Sequence, residues 1–287
     1  MNDAQNAPQD DANVSANGLN VSSNRSAERA ETPKRSKDDE RVLVVPTRLF
    51  RDGGVFQGFS TAAISRCDAL FAPESTRFMR RGDAERDPEF KQLIPYIIFV
   101  CEDSTTGRPS VFAYRRGDGQ GETRLRSKWS VGVGGHINAV DADAGAAATA
   151  ATAATDETGE TGETGKDGEN ASIQPQTAEN AAATPFGNDL FSAGAAREIA
   201  EEVVLGAPIL RFERVGLVND DATEVGRVHL GVVCVATLAA PLLTSNEPDL
   251  AESGFRAVDE LLAEIDAEPE RFESWTTLAL RGLYAKN

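Results

Sequence analysis

The chain has 287 residues, a net charge of −17 and a charged fraction of 26%, enough length for one generous domain or two small ones. The negative balance argues against a nucleic-acid polymer as partner, since nonspecific binding needs basic surface to displace phosphate counterions. No apolar run approaches the roughly 20 residues that span a bilayer, so no membrane partner is expected.

The amino-terminal stretch MNDAQNAPQDDANVSANGLNVSS lacks the basic start and apolar core of a signal peptide. The cysteines Cys67, Cys101 and Cys234 are widely spaced, and with only His136 and His229 a zinc site has few ligands to draw on. A cytoplasmic, reduced protein is the economical expectation. Residues 1–40 are polar and poor in large apolar side chains, so they read as a disordered tail. Strand-like runs follow at RVLVVP (41–46), YIIFVCE (96–102) and SVFAYRRG (110–117). KWSVGVGGHIN (128–138) is a short β-type run ending in a glycine-rich turn. Arg115, Arg116, Arg124, Arg126 and Lys128 precede that turn, either as a solvated hairpin or as a basic rim for an acidic substrate.

From about 139 to 187 the chain is acidic and alanine-rich and contains ETG three times in succession. It reads as a disordered insertion. Beyond it come a helix around AAREIAEEVV (195–204), strand-like runs at 209–220 and 226–238, and helical patterns at 255–265 and 273–286. Neither half has enough alternating elements to close its own core. The expectation is one mixed α/β domain over 41–287, interrupted at 139–187.

The helix carries the chemistry. Glu198, Glu201 and Glu202 fall on one face, because i, i+3 and i+4 are helix neighbours, and like charges there repel by a few tenths of a kcal/mol per pair. Incidental acidic surface is one reading. The other is a hard divalent cation such as Mg²⁺, which takes carboxylate, water and phosphate oxygens and would reverse the sign of that repulsion. Ala195, Ala196, Ile199, Ala200, Val203 and Val204 supply the packing side. Elsewhere, Asn219, Asp220, Asp221 and Glu224 lie between two strand-like runs, as a turn or as a substrate or cation loop. Arg227 is a candidate phosphate contact because guanidinium matches phosphate bidentately, whereas His229 reads as a strand residue.

Gly134-Gly135 together with R-E-I-A-E-E resembles the Nudix box: a glycine, five residues, a glutamate, seven residues, then R-E-U-x-E-E-x-G-U with U aliphatic. REIAEEVVL matches its second half at Arg197, Glu198, Ile199, Glu201, Glu202 and Leu205. Counting back eight positions from Arg197 puts Asp189 at the first acid, with roughly fifty residues between it and Gly135 or Gly134. The glycine near the end of the box is replaced by Val204, with Gly206 as a candidate helix stop.

The resemblance implies an α/β/α sandwich with a mixed β-sheet, and a metal-dependent hydrolase cleaving a diphosphate linkage in a nucleoside diphosphate linked to another moiety. It implies Mg²⁺ or Mn²⁺ as cofactor, held by Glu198, Glu201 and Glu202, with Glu201, Glu202 and Arg197 as catalytic residues. Gly134, Gly135, His136 and Arg227 are the expected substrate contacts. Glu247 or Glu252, on a later loop, could complete the metal site. A non-catalytic binding or interaction module on the same fold is the alternative.

Overall fold

Two long strands organise the molecule. β4 (Phe90–Glu102) and β10 (His229–Leu238) run parallel, in register from His229 opposite Gln92 to Thr237 opposite Val100. Both are buried along nearly their whole length, which is why they read as continuous apolar runs rather than alternating ones. The computed structural model describes residues 36–51, 56–63, 70, 72, 74–103, 106–117, 126–142, 186–187, 189–246 and 252–285. The expectations for residues 1–35, for 143–185 of the insertion, and for Cys67, Arg124 and Glu247 fall outside these residues.

Around that pair the sheet is otherwise antiparallel. β12 (Ser253–Ala257) joins β5 (Pro109–Arg115), which joins β4; on the far side β10 joins β9 (Ile209–Asn219), and β9 joins β2 (Gly58–Ser60). β1 (Arg41–Pro46) bonds β4 and β3 (Arg77–Arg80), while β6 (Trp129–Ser130) and β7 (Gly132–Val133) attach to β5 and β4. A separate ribbon pairs β8 (Val203–Leu205) with β11 (Leu243–Ser245).

The helices named here, in chain order, are α1 (Arg48–Arg51), α2 (Arg81–Ala84), α3 (Leu190–Glu202), α4 (Glu224–Val228), α5 (Val258–Ala267) and α6 (Ser274–Tyr284). Phe191, Ala195 and Ile199 of α3 bury themselves against Leu93, Ile97, Phe99 and Leu230 on one sheet face. Val258, Leu261 and Ile265 of α5, with Ala279 and Leu280 of α6, cover Tyr96, Ile98, Val100 and Val233 on the other. Each large apolar side chain buried this way contributes on the order of 1.5–3 kcal/mol. The architecture is the expected α/β/α sandwich on a mixed sheet.

Several boundaries differ from the sequence expectation. β4 begins at Phe90, six residues before the run at 96–102, and includes Pro95. Proline is tolerated there because β1 pairs only as far as Gln92 and β7 only from Ile97, so no partner needs a Pro95 N–H on that side. Residues 226–228 belong to α4, not to a strand, and 255–257 belong to β12, not to a helix. Ala200 and Val204, expected on the packing side of the helix, are exposed.

Candidate functional site

Gly134 sits where only glycine fits, and Gly135 where a side chain would displace Glu198. Gly134 has φ +140°, and a Cβ on it would overlap the Pro95 carbonyl oxygen. A Cβ on Gly135 would come within 2.6 Å of the Glu198 carboxylate. The bare backbone therefore presses directly against α3: Gly134 N–H donates to Glu202 Oε2 at 3.2 Å, and Gly135 lies on Glu198.

Arg197 ties the halves together. Its Nε donates to Asp141 Oδ1 at 2.8 Å and its Nη2 to Asp141 Oδ2 at 3.1 Å, a bidentate pair across 56 positions. Nη2 also donates to the His136 carbonyl at 2.7 Å. Nη1 reaches Glu198 Oε1 at 2.9 Å and Glu201 Oε2 at 3.0 Å. Asp141 is buried and its Oδ2 also accepts from the Asn138 N–H at 2.7 Å. Gly194 permits this approach, since a Cβ there would crowd Asp141 Oδ2 and Ile137.

This corrects the placement of the first acid. Asp189 does not meet Arg197. It is the N-cap of α3, accepting from the Ser192 N–H at 2.8 Å, and it pairs with Arg214 of β9. Five residues separate Asp141 from Gly135, which is the undivided spacing of the first half of the box. The long interruption therefore separates the acid from Arg197, and the glycine-to-acid segment is intact. Residues 139–142, assigned by composition to the disordered insertion, form a helical turn that carries Asp141.

The end of the box also differs from expectation. α3 passes straight into β8, and Gly206 lies beyond that strand, donating its N–H to the Leu242 carbonyl. The last carbonyls of α3 are satisfied from β11 and the residue after it: Asn246 N–H donates to Glu202 O at 2.8 Å, and Asn246 Nδ2 reaches Ala200 O and Glu201 O. No glycine turn is needed where another segment supplies the donors.

Burial pushes the Glu198 carboxyl above its usual range, against the pull of Arg197. Glu201 is 59% exposed and turned toward Arg197. Glu198 and Glu202, facing the glycine turn, are oxygen donors of the hard type; with water they fit Mg²⁺, which seldom takes a full protein cage. Arg227 is exposed at the end of α4, its Nε donating to Asp221 O.

The His136 ring meets His229 and Glu85. Its Nε2 is 3.3 Å from His229 Nε2 and 4.0 Å from Glu85 Oε1, and His229 Nε2 is 3.7 Å from the same oxygen. Burial, reinforced by the charge of Arg81, pushes His136 well below the usual imidazole value. Among the described residues, Glu85, His136 and His229 alone bring three metal-type ligand atoms within 4.8 Å of one another. Glu85 lies in a region with no motif, and nothing in the local sequence singled it out.

Other candidates have structural partners. Asp221 binds the buried Lys91 Nζ at 2.7 Å and orders the turn after β9. Arg115 pairs with Glu252, and Arg116 with Glu273. Trp129 is buried in the core beneath α5 and α6, and Trp275, on α6 itself, packs against that core.

Comparison with known proteins bears on the fold. No family model matches the sequence. The chain is 31% identical over 206 residues to Protein YmaB of Bacillus subtilis (strain 168), covering 70% of this chain and 77% of YmaB. Its fold is similar to the solved structure of Tm1382, a protein assigned to the Nudix hydrolases, with a TM-score of 0.56 and 25% identity over 85% of this chain and 98% of Tm1382. Among the described residues no helix is long and apolar enough to cross a membrane. With a glycine turn, a buried acid and an REIAEE helix rejoined by Arg197 on this sandwich, the chain belongs to the Nudix hydrolase superfamily.

Proposed function

We propose that the chain is a metal-dependent hydrolase that cleaves a diphosphate linkage, in a nucleoside diphosphate linked to another moiety, with Mg²⁺ or Mn²⁺ at Glu198, Glu201 and Glu202. The observation that supports it is the reunion of the divided box: Arg197 joins Asp141, the His136 carbonyl, Glu198 and Glu201 in one cluster. A divalent cation bound there supplies charge neutralisation for the diphosphate and acidifies a water.

The chain's own groups do the rest. Arg197, anchored by Asp141, orients Glu198 and Glu201 and offsets their mutual repulsion. Glu202, held by the Gly134 N–H, is placed to take a proton from water at its carboxylate, with Glu201 as the neighbouring acid. Gly134 and Gly135 allow a phosphate to approach the backbone closely, and Arg227 offers a cationic contact from α4. His136 enters through its carbonyl bond to Arg197.

The test is a panel of nucleoside diphosphate-linked compounds assayed with Mg²⁺ and with Mn²⁺. Cation-dependent turnover that Glu202→Gln abolishes in a folded protein supports the reading. Absence of turnover across the panel, with ligand binding indifferent to Glu198, Glu201 and Glu202, would point to the non-catalytic module.

A further inference from the structure

We infer that Glu85, His136 and His229 form a second metal centre, selective for a nitrogen-preferring divalent cation of the Zn²⁺ class and separate from the carboxylates of α3. His136 and His229 are the chain's two histidines, 93 positions apart, and they meet ring nitrogen to ring nitrogen beside a carboxylate. The circle through three atoms separated by 3.3, 3.7 and 4.0 Å has a radius of about 2.1 Å, the length of a Zn–N or Zn–O bond.

The tautomer of His229 is set for ligation. His229 Nδ1 is 2.8 Å from the Val225 carbonyl oxygen, which can only accept, so Nδ1 carries the proton. The neutral ring then presents a lone pair from Nε2 to the centre. A backbone carbonyl on the remote ring nitrogen is the usual outer-shell support of a metal-bound histidine.

A second observation lies on the same side of the sheet. Gln92 is the register partner of His229 in the parallel pair, so both side chains share one face. Gln92 is fully buried, and neither its Oε1 nor its Nε2 has a hydrogen-bond partner. Buried amides of that kind mark a missing water or ligand, here on the face that Gln92 shares with His229. Arg81 approaches the same Glu85 oxygen at 3.7 Å and is also paired with Glu40 at 3.1 Å, so it is shared between two carboxylates.

The centre lies behind the glycine turn. Gly135 rests on Glu198 while the next residue, His136, turns to Glu85 at the end of α2 and to His229 at the start of β10. A cation there fastens the turn to two elements remote in sequence. An imidazole pair with one carboxylate suits Zn²⁺ or Co²⁺, whereas the oxygen donors of α3 suit Mg²⁺.

The full-length chain, stripped by chelator and dialysed against Zn²⁺ in excess Mg²⁺, should retain about one equivalent of Zn²⁺ by elemental analysis. With Co²⁺ alone it should show visible d–d bands of low coordination number. Glu85→Gln, His136→Gln and His229→Gln should each lose the equivalent and the bands, and Glu85→Gln, altering a side chain one-third exposed, guards against loss by misfolding. The Glu201→Gln/Glu202→Gln double variant should keep both. No Zn²⁺ above the chelated blank, retention by folded Glu85→Gln and His136→Gln, or loss in the double variant would each overturn the assignment.

Discussion

Arg197 and Asp141 are 56 positions apart and share two hydrogen bonds, at 2.8 and 3.1 Å, with the carboxylate almost wholly withdrawn from water. Removing one partner of such a pair leaves the other charge without its match. Asp141→Ala should cost on the order of 3 kcal/mol in chemical denaturation. It should also reduce turnover by releasing Arg197 from Glu198 and Glu201.

Asp189 should behave differently, because it caps a helix instead of anchoring Arg197. Asp189→Asn keeps an acceptor for the Ser192 N–H and should leave turnover unchanged, whereas Asp189→Ala should lose about 1 kcal/mol of stability. Steady-state kinetics beside urea denaturation separate the two acids. Equal kinetic losses at 141 and 189 would contradict the placement.

The same capping acid sets a pH dependence. Burial tends to raise its pKa, but the Arg214 hydrogen bond and the Ser192 N–H hold it below the usual value. The folded state therefore binds fewer protons than the unfolded one as pH falls from the unfolded pKa of about 3.9. The charge-dependent part of its stabilisation is present above that pH and lost as pH drops through the folded value. Wild type should exceed Asp189→Asn in stability at pH 7, and the gap should narrow at pH 3.

At the glycine turn, two substitutions should fail for different reasons. Gly134→Ala places a Cβ on the Pro95 carbonyl at φ +140°, so thermal denaturation should show a loss of about 2 kcal/mol or more. Gly135→Ala meets the Glu198 carboxylate, a side chain that can move. Its larger effect should be on turnover and on the Mg²⁺ concentration needed to support it.

Shortening the interruption tests how far the box depends on it. Loop-closure entropy changes only logarithmically with length, so replacing residues 145–184 by a short glycine-serine link should alter stability by about 1 kcal/mol or less. Turnover should persist, because Asp141 and Arg197 are both retained. Loss of a folded core on deletion would show that the segment contributes contacts.

Much of the site was legible because it is local. The i, i+3, i+4 spacing of Glu198, Glu201 and Glu202 and the paired glycines are short-range patterns, and the structure puts Glu198 and Glu202 against those glycines. Asp141 was misread because alanine-rich composition on its carboxy-terminal side outweighed the five-residue gap that separates it from Gly135. The start of β4 was missed because Pro95 argues against an inner strand, and only the gap between β1 and β7 makes it harmless.

The sequence by itself determined the order of the main strands and helices, the acidic helix and the glycine turn, since each rests on periodicity or on neighbours within a few residues. Tertiary structure alone decided which acid meets Arg197, how β11 and Asn246 end α3, and that His136 faces His229 and Glu85. Those contacts join residues 43 to 144 positions apart, where local propensity carries no information. There the packing of elements remote in sequence brings the partners together.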